Sequence, residues 1–497
     1  MLPPGERVFG TALVFLGLAA LAVVTTRVGL FFDDEIATIR MLDAARDWRA
    51  VVTAANSGDV HPPLGYVVDF ALRQALGSWK AVQLCAGLAN AAALAGFAWL
   101  AGGALPRRTW LVLSALLATM ATAVMWGASL RWYAWFNPVF ALALAAQLWS
   151  PVCARTSAVL LALAAVLLFH IGYLAVVAVP LLGFVWLWRH GRSLRRSDLL
   201  VVTLAAAAAL VLCLPQSHVL LTVHLAAQGP QRGTMAMAML QSALTVLLGN
   251  AVFPLGVLPL AMAGVSGGAI VRLMARRETR AALMPLGVLV GAGLAMLALT
   301  GLGYKPRNAV FLEIAALPVL AAALAALPGR ARTAALVITG MFQLQGLANV
   351  ALHRDTAKRS FNTPYRALVA AIDRLADDCP HTVVAHNDYV LAYLLTPPLM
   401  QSGALAPPGT ITLRPGDCLL VEEGSAFELD PSSLGAWQTA LQALRRHEET
   451  TVRFRPEPAV AAAGRLLGRP VSDHAAILRK YRVIGPARLP GWKEIGR

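Results

Sequence analysis

Residues 8–35 read VFGTALVFLGLAALAVVTTRVGLFFDDE. About 20 apolar positions in a row are enough to cross a hydrocarbon core of roughly 30 Å as a helix. Three adjacent carboxylates, Asp33, Asp34 and Glu35, follow at once. The run is too long for a secretory leader, and no small-residue cleavage motif precedes the acids, so it reads as an uncleaved first span.

Working outward, the pattern recurs as far as about residue 351 and then stops. Spans are expected near 8–30, 81–104, 110–128, 133–150, 157–172, 173–189, 198–214, 241–271, 281–301, 309–327 and 333–351. The stretch 241–271 is long for one simple span, and Asn250 and Pro254 mark a broken or re-entrant piece within it. The composition agrees. Of 497 residues, 58% are hydrophobic and 14% charged, against about 45–50% and about 25% in soluble domains. This excludes one soluble domain, a disordered chain and a disulfide-stapled scaffold, and five cysteines make no such framework.

The formal charge of +16 would suggest nucleic acid in a soluble protein. Here the arginines sit in short loops: Arg107 and Arg108; Arg155; Arg189, Arg192, Arg195 and Arg196; Arg272, Arg276, Arg277 and Arg280; Arg330 and Arg332. If the spans alternate, these loops share one side, which the positive-inside rule makes cytoplasmic. Nucleic acid is then not needed as a partner. The N-terminus is expected inside, and the tail from about 352 outside. The Ala-, Leu- and Arg-rich composition points to a GC-rich bacterial genome, hence to an inner membrane with a periplasmic tail.

The tail, 352–497, is polar and reads as a small α/β domain. Thr382-Val383-Val384-Ala385 and Cys418-Leu419-Leu420-Val421 look like short buried strands. Ser432 or Ser433 would cap a helix through Trp437, Leu441 and Leu444 to about Glu448, and Thr451–Phe454 would be another strand. Cys379 and Cys418 either form a bridge, in a compartment that permits one, or are separate buried thiols. Cys85, Cys153 and Cys213 read as packing residues of the spans.

Chemistry concentrates on the outer side. The outer loop 31–80 opens on Asp33-Asp34-Glu35. These acids either favour the first turn of a helix over Ile36–Trp48 or supply a general base near the bilayer. The same loop holds Asp59-Val60-His61-Pro62-Pro63-Leu64-Gly65-Tyr66, where the prolines stiffen the backbone and push His61 towards an extended conformation. The prolines could serve only to turn the chain. Three further elements are Arg131-Trp132-Tyr133, His170-Ile171-Gly172-Tyr173 and Tyr304-Lys305-Pro306-Arg307-Asn308. An Arg beside aromatics is an interfacial anchor or a phosphate holder. A lone His at a helix end is commonly satisfied locally. Two cations on the outer side break the charge rule and suit a lipid phosphate, or else form a snorkelling pair. All these elements map to one membrane face, which suggests transfer chemistry on a lipid-linked phosphate.

On these residues the chain resembles the integral-membrane glycosyltransferases of the GT-C superfamily. It is most similar to the group of protein O-mannosyltransferases, the aminoarabinose transferase of lipid A and the rhizobial galacturonosyltransferases. The resemblance covers about residues 8–351. Gly65 and Asn308 stand where family members often have an aromatic and a tyrosine. It implies a polytopic α-helical membrane protein of about eleven spans with a C-terminal extracytoplasmic α/β domain. It also implies inverting transfer of a sugar from a polyprenyl phosphate to a hydroxyl of a glycolipid, lipid A, a glycan or a protein. Asp34 would be the base, with Glu35 beside it. Asp33, Asp59, His61, Tyr66 and His170 would bind acceptor or sugar, and Arg131, Tyr133, Lys305 and Arg307 the lipid phosphate. No cofactor is required, and no nucleotide fingerprint is present. A divalent metal is compatible with acids and His61 in one loop, although no ligand spacing demands it. Two other readings are a lipid transporter or flippase, and a receptor with a ligand-binding tail. Few midspan charges and no clear repeat speak against the first.

Overall fold

The computed structural model describes residues 3–28, 33–58, 61–220, 257–275, 277–300, 306–351, 365–385, 411–423, 444–453, 475–485 and 487–489. By compactness the chain divides into two units: residues 1–30 with 38–357, and residues 31–37 with 358–497.

The first unit is a polytopic helical bundle. Its helices are α1 (Pro4–Val28), most of α2 (Asp33–Asp43), α3 (Trp48–Gly58), α4 (Leu64–Leu76), α5 (Trp79–Gly102), α6 (Arg107–Ala118), α7 (Ala121–Gly127), α8 (Trp132–Trp149), α9 (Ala154–Ile171), α10 (Ala175–His190) and α11 (Arg196–Val219). They continue as α12 (Val257–Met274), α13 (Arg277–Thr300), α14 (Val310–Ala325) and α15 (Gly329–Ala351). Among the described residues five helices are long and apolar enough to cross a membrane, and the bent pair α6–α7 makes a sixth. Asn250 and Pro254 lie outside the described residues.

Local chemistry explains where these helices break. The span expected at 110–128 bends by 43° between α6 and α7. There the Thr119 hydroxyl donates to the Ala115 carbonyl at 2.8 Å, an i−4 bond that competes with the helical ladder. The helix expected over Ile36–Trp48 instead starts at Asp33 and stops at Asp43. The Asp47 carboxylate accepts from the Ala50 N–H at 2.9 Å, capping a separate helix that starts at Trp48. Pro62 and Pro63 precede α4, which ends at Gly77 in the left-handed conformation that glycine adopts without penalty (φ 69°).

The two ends of α8 define two ends of the bundle. Arg131 is its N-cap residue. At the other end Arg189 donates to the carbonyls of Gln147 (2.8 Å) and Ala146 (3.2 Å). The 18 residues between them span ~27 Å. Arg155 pairs with Asp198 at 2.5 Å between the starts of α9 and α11, and the buried Gln147–Ser157 pair joins α8 to α9 at 2.5 Å. Arg155 and Arg189, expected on one side, therefore share one end, opposite Arg131. Cys153, expected to pack within a span, is exposed, because it precedes α9 as its N-cap residue.

In the second unit α16 (Tyr365–Ala376) buries Leu368, Ala371, Ile372 and Leu375, an i, i+3, i+4, i+7 stripe. A four-stranded sheet has the order β1 (Thr382–Ala385), β3 (Cys418–Glu423), β5 (Ala475–Val483), β4 (Leu444–Arg453), and β2 (Ile411–Leu413) pairs with β6 (Ala487–Leu489). β1 runs parallel to β3, and the other pairs are antiparallel. The two expected strands at 382 and 418 form, and so does 451–453. The helix expected to run through Leu444 to Glu448 does not: those residues begin β4, paired with β5 from Leu444 opposite Val483. Cross-strand pairing outweighs local helical preference there. Its proposed start, Ser432 to Leu441, lies outside the described residues. Cys379 and Cys418 are bridged, tying the residues after α16 to β3. Asp378 beside the bridge accepts from the buried Lys480 and from Arg482 (2.9 Å).

Candidate functional site

The site is organised by the first turn of α8. Arg131 is extended (φ −137°, ψ 157°), and the helix starts at Trp132. Four residues from this turn, Arg131, Trp132, Tyr133 and Trp135, make five contacts with other parts of the chain.

Arg131, 6% exposed, donates from Nη1 to the Thr38 hydroxyl of α2 at 3.1 Å. The Trp132 ring meets the His61 ring with centroids 5.3 Å apart. Tyr133 stands edge-on to Trp126 of α7 at 5.2 Å, and the Arg307 guanidinium lies 5.8 Å from the Tyr133 ring and 6.0 Å from the Trp126 ring. Trp135 donates from Nε1 to Asp69 of α4 at 2.9 Å, and Asp69 is fully buried. Such close packing needs small residues nearby. A Cβ on Gly172 would lie 2.6 Å from Trp132, so only glycine admits the α9–α10 junction here.

The sequence-derived residues fall out as follows. His61, Arg131, Tyr133 and Arg307 are brought to the start of α8. Tyr66 is buried in the first turn of α4, five residues after His61. Asp34 is half-buried and Glu35 buried in the first turn of α2, four and three residues before Thr38. The acids therefore do head a helix, as one of their two readings required. His170 lies at the end of α9, where Nδ1 donates to the Val166 carbonyl one turn back at 2.9 Å. The side chain of Asp33, and all of Asp59 and Lys305, lie outside the described residues. Among the described residues no group of three or more His, Cys, Asp or Glu side chains is arranged to hold a metal ion.

Sequence reasoning missed Thr38, Asp69, Trp126 and Glu313. Glu313 of α14 is fully buried and accepts from the Thr122 hydroxyl at 2.8 Å. Asp69 and Glu313 had a signal: each is a lone carboxylate inside an apolar helical run, which is costly and therefore informative. Thr38 and Trp126 had none.

Chemically the cluster joins two buried guanidinium groups to a set of rings. A guanidinium is a planar, permanently charged fork of N–H donors whose geometry matches phosphate oxygens.

No protein-family model matches this chain, and no curated protein matches it. Solved structures do. ArnT from Cupriavidus metallidurans, in the apo state, is similar at a TM-score of 0.54 with 13% identity over 95% of this chain and 98% of that one. The arabinofuranosyltransferase AftD from Mycobacteria aligns over 97% of this chain and 40% of its own, with 14% identity and a TM-score of 0.47. The likeness to ArnT is one of fold: the chain has the GT-C fold.

Proposed function

We propose that this protein is an inverting glycosyltransferase that moves a sugar from a polyprenyl phosphate to an acceptor hydroxyl at the outer face of a bacterial inner membrane. The observation that supports this reading best is the convergence at the start of α8. Residues from four separate motifs or helices, Thr38, His61, Arg131 to Tyr133 and Arg307, meet at one end of the bundle. That end lies opposite the arginines of the Arg155 and Arg189 loops.

Asp34 takes the proton of the acceptor hydroxyl as its oxygen attacks the anomeric carbon. The bond from that carbon to the phosphate oxygen breaks, and the polyprenyl phosphate leaves with the electron pair. Arg131, Arg307 and Lys305 offset the charge growing on the phosphate, with Tyr133 beside them. Glu35, Asp33, Asp59, His61, Tyr66 and His170 hold sugar or acceptor. The tail, 352–497, is a separate extracytoplasmic domain, and the N-terminus is cytoplasmic.

The test uses the purified full chain in nanodiscs with a labelled polyprenyl-phosphate sugar and candidate acceptors. Transfer with inverted anomeric configuration is expected. Movement of the lipid across the bilayer without any transfer would replace this reading with that of a flippase. Glycolipid mass spectrometry of a deletion strain identifies the acceptor.

A further inference from the structure

The short helix α7 has seven residues, too few to hold itself in water or lipid, so its orientation comes from its neighbours. Two of them peg it. On one side Asn90 of α5 donates from Nδ2 to the Ala123 carbonyl at 2.9 Å, and a Cβ on Gly127 would lie only 2.3 Å from that same nitrogen. On the other side Thr122 donates to Glu313 Oε1 at 2.8 Å. Both Thr122 and Glu313 are 0% exposed.

Thr122 and Trp126 are four residues apart on α7 and therefore share one face. The same face thus meets Glu313 through Thr122 and Arg307 through Trp126 (6.0 Å). Arg307 and Glu313 belong to one continuous piece, the 3₁₀ turn Pro306–Ala309 and the α14 helix that follows it. α7 and this piece are thereby joined at two points, one a hydrogen bond deep in the bundle and the other the guanidinium–aromatic contact at the site. A carboxyl in an apolar bundle is expensive and is seldom kept for packing. Glu313 also has an oxygen to spare: its Oε2 is buried with no hydrogen-bond partner among the described residues.

We propose that Glu313 is a positioning residue for the lipid-phosphate site. Through Thr122 it fixes the rotation of α7, and so the place of Trp126 against Arg307 and Tyr133. The inference rests on the proposed reading of Arg307 as a phosphate ligand.

The experiment measures binding of a labelled polyprenyl phosphate to the full-length protein in nanodiscs, with thermal stability recorded in parallel. Glu313→Leu and Thr122→Val are each expected to weaken binding about tenfold. Glu313→Gln, which keeps an oxygen for the Thr122 hydroxyl, and Thr122→Ser, which keeps the donor, are expected to bind like the parent within about twofold. In a double-mutant cycle Glu313→Leu should cost little once Arg307→Ala is present. Two outcomes overturn the inference alone: Arg307→Ala loses binding while Glu313→Leu and Thr122→Val bind normally, or Glu313→Gln falls as far as Glu313→Leu. Absence of binding by the parent, or parent-like binding by Arg307→Ala, overturns the phosphate reading and the inference with it.

Discussion

The two ends of α8 both hold buried or half-buried arginine, but they use it differently. At the C-terminal end Arg189 seals the helix by donating to the carbonyls of Ala146 and Gln147, and Arg155 pairs with Asp198 nearby. These are helix-end and ion-pair roles, in which protein acceptors take up the N–H groups. At the N-terminal end Arg307 lies against the faces of Trp126 and Tyr133, and Arg131 reaches a neutral hydroxyl. Identical side chains thus meet carbonyls and a carboxylate at one end and rings and a hydroxyl at the other, and the proposed function makes the second end the phosphate site.

The largest test of this contrast is at the head of α2. Asp34→Asn should lower transfer about 10²–10⁴-fold with donor binding retained, the size expected for a lost general base. Near-normal turnover would remove Asp34 from that role. Next, Arg307→Ala should cost transfer roughly 10²-fold with little change in melting temperature. Arg189→Ala should do the reverse, lowering stability by about 1–3 kcal/mol with transfer per folded molecule unchanged. If the two variants behave alike, the distinction between the ends collapses.

The tail supplies a third case, in which cations are matched by an acid as at the Arg155 end. The hydrogen bond from Lys480 to Asp378, helped by the charges of Lys480 and Arg482, holds the Asp378 carboxyl below the usual carboxylate range. A carboxyl with a lowered folded-state pKa stabilises above its unfolded value, about pH 4, and loses that contribution as pH falls through the folded value. Asp378→Asn should therefore lower the tail's melting temperature at neutral pH, and the gap between variant and parent should close on acidification below about pH 4. A gap independent of pH would mean that packing, not charge, holds this corner. The smallest effect is expected at His170, whose Nδ1 is already committed to Val166. His170→Ala, which removes the Nε2 proposed to hold sugar or acceptor, should lower transfer about threefold to tenfold, and unchanged transfer would take His170 out of the site.

Much of this was legible in the sequence where the signal is local. Apolar runs placed α1, α5, α9 and α14 closely, because the bilayer requires that length of apolar helix whatever packs beside it. The arginine loops anticipated which helix ends share a side. The strands at Thr382 and Cys418 were visible as short apolar runs, and the Cys379–Cys418 bridge was one of two open readings. Leu444 to Glu448 misled because their periodicity is that of a helix, while their fate is set by β5, some 35 residues away in sequence.

The sequence by itself determined that this is a polytopic membrane protein, since hydrophobic length acts residue by residue. Only the tertiary structure decided which residues touch. It made the first turn of α8 the hub, set Trp126 under Arg307, sank Asp69 beside Trp135 and pegged α7 with Glu313. The physical reason is that a hydrogen bond or a ring contact depends on ångström distances between helices. Those distances follow from the packing of the whole bundle, which no single stretch of sequence encodes.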